Sequence, residues 1–230
     1  MILDGIIVMV ISAFGAVGYY RGFLKTIMSF ASSFVAIIFA FIIQPIISSF
    51  LKLTPLYPII YKWIGGRVEK VNFGVGVQTQ GEAIRKSVTW LPDFISDSIV
   101  KNNNAEVYKL LKVSTIKEYV SESLTQVVLG ILAILFAWLI IKAIFILLLA
   151  STDAVIKVIP IVSKLNRLSG FGIGVVKGVL GIWIVGLLLS VVLTSPHSSA
   201  IATLIQESSL TKWLYENNLI LQAFSNMVNK

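Results

Sequence analysis

The sequence predicts an all-α integral membrane bundle of four transmembrane helices, arranged as two hairpins, with extra amphipathic helices on its surface. Three observations carry this reading. Hydrophobic residues make up 57% of the 230 residues and charged ones only 13%, against about 45–50% and about 25% in soluble domains; the mean hydropathy is +0.90. Four apolar runs approach the roughly 20 residues that a hydrocarbon core of about 30 Å requires. In two of them small residues recur four apart: Gly18 and Gly22, then Gly170, Gly174 and Gly178. Such stripes let helices approach closely in lipid, so the two hairpins are expected to pack through these faces, whereas a soluble helix would lose about 1 kcal/mol at each interior glycine. The chain divides into a hairpin over 1–51, a polar insertion over 52–123, a second hairpin over 124–194 and an interfacial tail over 195–230.

The first span is expected over Ile2–Tyr20, retained rather than cleaved, because no Lys or Arg precedes the apolar run and it ends in Tyr19, Tyr20 and Arg21 rather than in small residues. Gly15, Gly18 and Gly22 near its end mark a close helix contact. Asp4 has two readings. An acid inside a span is a functional candidate, and an acid at a helix start in the headgroup zone is simply favourable to the dipole. The second span runs from Thr26 to Ile43, or on past a kink to Leu51, with a small-residue face that includes Ser29, Ser32 and Ser33. Gln44-Pro45 then bends or ends it, because Pro removes a backbone donor.

The insertion is punctuated by Pro55, Pro58, Gly65-Gly66 and Asn72-Phe73-Gly74-Val75-Gly76. Leu56–Trp63 reads as an interface-hugging segment, Glu82–Trp90 as a short helix, and Pro92 as a residue of the first turn of the next one. Ala105–Ser123 has apolar residues at helical spacing opposite lysines, the pattern of an amphipathic helix on the bilayer or the bundle. The insertion is either a partner-binding cap or a structural lid.

The third span, Val127–Ala150, would be about 36 Å long at 1.5 Å per residue and contains Lys142. An intramembrane Lys snorkels, takes a structural partner, or lines a polar path. A polar loop over Ser151–Ser169 carries Asp153, Lys157, Pro160, Lys164 and Arg167. The glycine-striped fourth span follows, and beyond Ser195-Pro196-His197 the stretch Leu210–Phe224 reads as another interfacial helix.

Arg21 and Lys25 join spans one and two, while Lys157, Lys164 and Arg167, with Lys177 just beyond, join spans three and four. The positive-inside rule puts both links in the cytoplasm and both termini and the insertion outside. The net charge of +8 is scattered over loops. It forms no basic face interleaved with aromatics, so no nucleic-acid partner is expected; the partner implied is the bilayer itself. The absence of Cys excludes thiolate chemistry and disulfides. The single His, His197, excludes a His-based metal cluster. Gly172-Ile173-Gly174 begins like a dinucleotide fingerprint, but Lys177 stands where the third glycine belongs. No P-loop pattern occurs. No enzyme chemistry, metal or cofactor is expected.

Two places then stand out together: Asp4, Gly15, Gly18 and Arg21-Gly22-Phe23 entering the second span, and Leu165-Asn166-Arg167, Gly170, Gly174 and Lys177-Gly178 opening the last. On these residues the chain resembles the colicin V production protein family. The resemblance implies a multi-spanning protein of the bacterial cytoplasmic (inner) membrane, without enzymatic activity, that assists toxin (bacteriocin) production or secretion and envelope function. The insertion and tail are long for that family. The mechanism expected is helix packing and docking, with a second copy or with an envelope or secretion protein through residues 52–123. The alternative is a small channel or transporter with Asp4, Gln44 and Lys142 along a polar path.

Overall fold

The structure, a computed structural model, describes residues 2–74, 77–88, 91–150, 164–195 and 198–228. The readings made for Val75, Gly76, Trp90, Asp153, Lys157, Pro160, Pro196 and His197 lie outside these. All the regular elements described are helices: α1 (Ile2–Arg21), α2 (Phe23–Lys52), α3 (Leu56–Val68), α4 (Val77–Ser87), α5 (Asp93–Lys101), α6 (Ala105–Leu111), α7 (Ile116–Ala150), α8 (Lys164–Val192), α9 (Ser199–Gln206), α10 (Ser209–Glu216) and α11 (Leu219–Val228). Four of them, α1, α2, α7 and α8, are long and apolar enough to cross a membrane.

Chain order does not dictate their pairing. α1 and α2 follow each other through Gly22 alone, yet α1 lies chiefly along α8 and α2 along α7, with α2 also touching α8. Gly22 makes the turn at φ 80, a left-handed value that side chains with a Cβ rarely adopt. Ile6, Met9, Phe34, Ile42, Ile140, Leu147, Val185 and Leu188 point outward from the four helices, as lipid-facing positions would.

While several other helix limits differ from those read in the sequence, α2 takes the longer of its two, continuing through Pro45 to Lys52. The proline removes the donor for the Phe41 carbonyl, a loss that membrane helices tolerate; separately, Ser49 Oγ donates to the Pro45 carbonyl at 2.8 Å. Pro92 precedes α5 at its N-cap position rather than lying within its first turn. The amphipathic stretch Ala105–Ser123 is two elements. Lys112 takes a left-handed conformation, φ 56, and a new helix starts behind it. Glu118 accepts from the Ser114 and Thr115 amides at 2.8 and 3.2 Å while its own amide donates to Thr115 Oγ1 at 3.2 Å. This reciprocal capping box fixes the start of α7. At 35 residues, α7 is about 52 Å long, well beyond a hydrocarbon core of about 30 Å. The stretch Leu210–Phe224 falls on two helices rather than one, broken at Asn217-Asn218, and a further short helix, α9, precedes them.

The excess length of α7 is covered by the insertion. Ile60, Ile64, Val68, Ile84, Ile95 and Ile99 form one buried cluster with Tyr119, Val120 and Leu124 of α7. Polar groups within it are matched: Tyr119 donates to the Ile99 carbonyl at 2.6 Å, and the buried Glu122 carboxylate accepts from Tyr57 at 2.6 Å and from Gln126 at 2.9 Å. Burial, reinforced by the bond to Glu122, raises the Tyr57 phenol above its ordinary range, which keeps it a donor. The tail closes the same end. α10 lies on α1 and α8, and α11 on α7, α8 and α5, with Leu221 and Phe224 buried. Arg67 of α3 reaches the end of α8, donating to the Leu193 carbonyl at 2.7 Å, to the Ser198 hydroxyl at 2.7 Å and to the Ser195 carbonyl. A cation there satisfies carbonyls that a helix C-terminus leaves without partners.

Candidate functional site: a lysine–serine cluster beside a glycine crossing

α2 presents Ser29, Ser32 and Ser33 at helical i, i+3 and i+4 spacing, which brings them to one face. Ser32 and Ser33 are buried, and each hydroxyl donates back to the Ser29 carbonyl, at 3.0 and 3.1 Å. Their lone pairs therefore face outward from the helix. Lys142 of α7 fills them, donating to Ser32 Oγ at 2.7 Å, to Ser33 Oγ at 2.8 Å and to the Ser29 carbonyl at 3.3 Å. These are the three donors an ammonium has. Lys177 of α8 donates to Ser29 Oγ at 2.6 Å and stands 6.0 Å from the centre of the Phe14 ring. Two lysines from different long apolar helices thus meet on Ser29, one at its carbonyl and one at its hydroxyl.

A cavity of about 280 Å³ opens beside this cluster between α1, α2 and α8, lined by Ala13, Phe14, Val17, Gly18, Arg21, Thr26, Ser29, Gly174 and Lys177. Its floor is the crossing of α1 with α8. A Cβ at Gly18 would stand 3.0 Å from Gly174 Cα and closer still to the Gly170 carbonyl oxygen. A Cβ at Gly170 would stand 2.7 Å from the Gly22 carbonyl carbon, one at Gly174 3.0 Å from Gly15 Cα, and one at Gly178 3.2 Å from Ile11 Cα. Backbone meets backbone along the whole stripe. Gly15 faces the Phe171 ring, which would lie 2.7 Å from an added Cβ.

The crossing ends at a polar latch. The Phe23 amide, at the start of α2, donates to Asn166 Oδ1 at 3.0 Å. Thr26 Oγ1 donates to the Gly22 carbonyl at 2.7 Å. The Arg167 guanidinium lies 6.0 Å from the centre of the Tyr19 ring. Arg21, Lys25, Lys164 and Arg167 therefore share one end of the bundle, with exposed side chains.

The remaining polar residues singled out in the sequence are elsewhere. Asp4 Oδ1 accepts from the amide and hydroxyl of Thr211, both at 3.0 Å, so it serves the first turn of α10. Gln44 lies at the α2–α7 contact beside Gly130, where an added Cβ would come within 3.2 Å of its Nε2 and collide with Phe224. Among the described residues, Asp4, Gln44 and Lys142 thus sit at separate contacts. Sequence reasoning did not find the role of Lys177 beside Ser29, nor Gly130 as the seat of Phe224. The serine spacing of α2 was the available sign of the first. Among the described residues no three His, Cys, Asp or Glu side chains are grouped. No protein-family model matches this chain, no curated protein matches it, and no solved structure matches its fold.

Proposed function

We propose that this chain is a multi-pass protein of the bacterial cytoplasmic membrane, its spans arranged as two hairpins with amphipathic surface helices, that acts without enzymatic activity in the manner of the colicin V production protein family, assisting bacteriocin production or secretion and envelope function. One observation carries the reading. The two sequence stretches on which the resemblance rests are about 140 residues apart (Gly22 and Asn166), yet they form a single interface, from Asn166 on the Phe23 amide through Gly18 against Gly170 to Gly174 against Gly15. A pair of short motifs that build one contact is better support for a shared architecture than either motif alone.

The gathering of Arg21, Lys25, Lys164 and Arg167 at one end supports a cytoplasmic location for that end, with the termini and residues 52–123 outside. The folded insertion is then the surface offered to an envelope or secretion partner, or to a second copy. The test is complementation. A colicin V-producing strain that lacks its own family member should regain the zone of killing when this chain is expressed, and not when Gly174→Leu is. Wild-type chain inserted in the membrane at normal level without any rescue would remove the toxin-production reading.

A channel or transporter with a polar path near Lys142 is the second reading, favoured by the cavity beside Lys177. Ion and small-solute flux into liposomes, compared between wild type and Lys142→Leu, separates the two. Flux that depends on Lys142 supports the path, and tight liposomes containing folded protein remove it.

A further inference from the structure

Among the described residues, the cavity between α1, α2 and α8 carries an imbalance of charge that helix packing does not require. Lys177 and Arg21 both line it. α2 and α8 contain no Asp or Glu, α1 has only Asp4 at its opposite end, and α7 has none after Glu122. Among the described residues the ion pairs formed are Arg85 with Asp97 and Lys212 with Glu216, both far along the chain from this cavity. Lys142 has all of its donors engaged by Ser29, Ser32 and Ser33. Lys177 differs: its hydrogen bond goes to Ser29 Oγ, which leaves two of an ammonium's three donors for the cavity. A charge in the membrane that lacks a counter-charge is costly, and basic pockets between helices at the cytoplasmic side are a recurrent way to hold anionic headgroups.

We infer that this cavity binds a phosphate-type anion, clasped by the Arg21 guanidinium and the Lys177 ammonium, with the Ser29 hydroxyl as a further donor. The chemistry fits at each atom. The planar fork of Arg suits two phosphate oxygens at once. The Ser29 oxygen already accepts from Lys177, so its own hydrogen is directed to another acceptor. The volume, about 280 Å³, lies just below the 300–1,000 Å³ of ordinary ligand pockets. It suits a headgroup phosphate rather than a large organic molecule. Depth agrees as well. Arg21 lies at the basic end, and Lys177 lies beside Phe14, seven residues or about 10 Å further in along α1. Ala13 and Val17, which line the cavity, are exposed on the outer surface of α1, so an acyl chain has an apolar track leading away from the phosphate. Two sources supply this chemistry, an anionic lipid and dissolved phosphate. The inference goes beyond the proposed function and stands whether or not a toxin is exported.

The experiment uses the purified full chain, with wild type, Arg21→Gln, Lys177→Gln and Lys25→Gln side by side. Lys25 is an exposed cation at the same end that does not line the cavity, so it reports general attraction of charge. One arm measures retention of phosphatidylglycerol against phosphatidylcholine by native mass spectrometry. The other measures the shift in thermal unfolding on replacing chloride with inorganic phosphate at constant ionic strength. The expected result is binding in at least one arm, weakened about tenfold by Arg21→Gln and by Lys177→Gln, as for loss of one charge-assisted hydrogen bond, and unchanged by Lys25→Gln. The arm that responds identifies the source. Arg21 is exposed, so Arg21→Gln leaves a folded protein to measure even where Lys177→Gln does not. No binding in either arm, or equal weakening by all three substitutions, overturns the inference.

Discussion

The contact of α1 with α8 and the contact of α2 with α7 both use small residues, yet different forces hold them. Lipid tails are as apolar as the side chains, so no hydrophobic effect drives helices together in a bilayer. At α1–α8 the substitute is proximity: glycine faces glycine, and the two backbones touch from Gly22 and Gly170 to Ile11 and Gly178. At α2–α7 the substitute is polar matching: a lysine finds two serine hydroxyls and a carbonyl. The first contact is intolerant of volume and indifferent to charge. The second tolerates modest changes of shape but not the removal of a partner.

The largest effect is expected at the first contact. Gly174→Leu places a side chain where Gly15 Cα would lie 3.0 Å from the new Cβ, and backbone on the far side cannot give way. A loss of about 3 kcal/mol, the upper end of the overpacking range, should appear as a lower unfolding temperature and a lower folded yield in detergent. Gly172, on the same helix but with nothing near an added Cβ, supplies the contrast. Gly172→Ala should be neutral or stabilise by up to about 1 kcal/mol. Equal behaviour of the two variants would break the comparison.

The second contact is probed by removing hydroxyls. Ser32→Ala combined with Ser33→Ala strips two acceptors from Lys142 and should cost about 2–3 kcal/mol, since a charged donor is left unsatisfied. In a Lys142→Met background the same pair should cost little. A double-mutant cycle on unfolding free energies reads the coupling; no coupling would show that the serines act only as small residues.

Arg67→Ala sharpens the comparison at the far end of α8, where polar matching acts without a glycine crossing. Loss of its bonds to the Leu193 and Ser195 carbonyls and to Ser198 should cost about 1.5 kcal/mol. Faster hydrogen exchange should be confined to that helix end and the start of α9. Protection lost along the whole of α8 would mean that the glycine crossing does not hold the helix by itself. The smallest effect is expected for Asp4→Asn, below about 1 kcal/mol. It keeps an acceptor for Thr211 and removes only the charge favourable to the start of α10. Thermal unfolding against the wild type is again the measurement.

How far each feature was legible follows from how local its cause is. The glycine stripes are regular on one helix, and a stripe of small residues is readable wherever it falls. The capping box at Thr115 and Glu118 was equally local, yet the apolar spacing across Ala105–Ser123 masked it, because period alone cannot see a left-handed residue such as Lys112. Lys142 was conspicuous as a lone charge in an apolar run. Lys177 was not, since it lies close enough to Arg167 to pass as one more basic residue near the loop. The meeting of both lysines on Ser29 depends on how three helices are rotated about their axes, and none of the three sequences contains that information.

The sequence by itself determined that the chain makes four helices long and apolar enough to cross a bilayer. Length and apolar content are properties of each segment alone. The glycine stripes also pointed to the first and fourth spans as partners. The tertiary structure fixed the register of that crossing, laid α2 along α7, covered the overlong α7 with the insertion, and brought two lysines 35 residues apart in sequence to one serine. The physical reason is the same in each case. A backbone surface without side chains and an ammonium without a counter-charge are both unsatisfied within their own helix, and only another helix, at a rotation no local pattern encodes, can complete them.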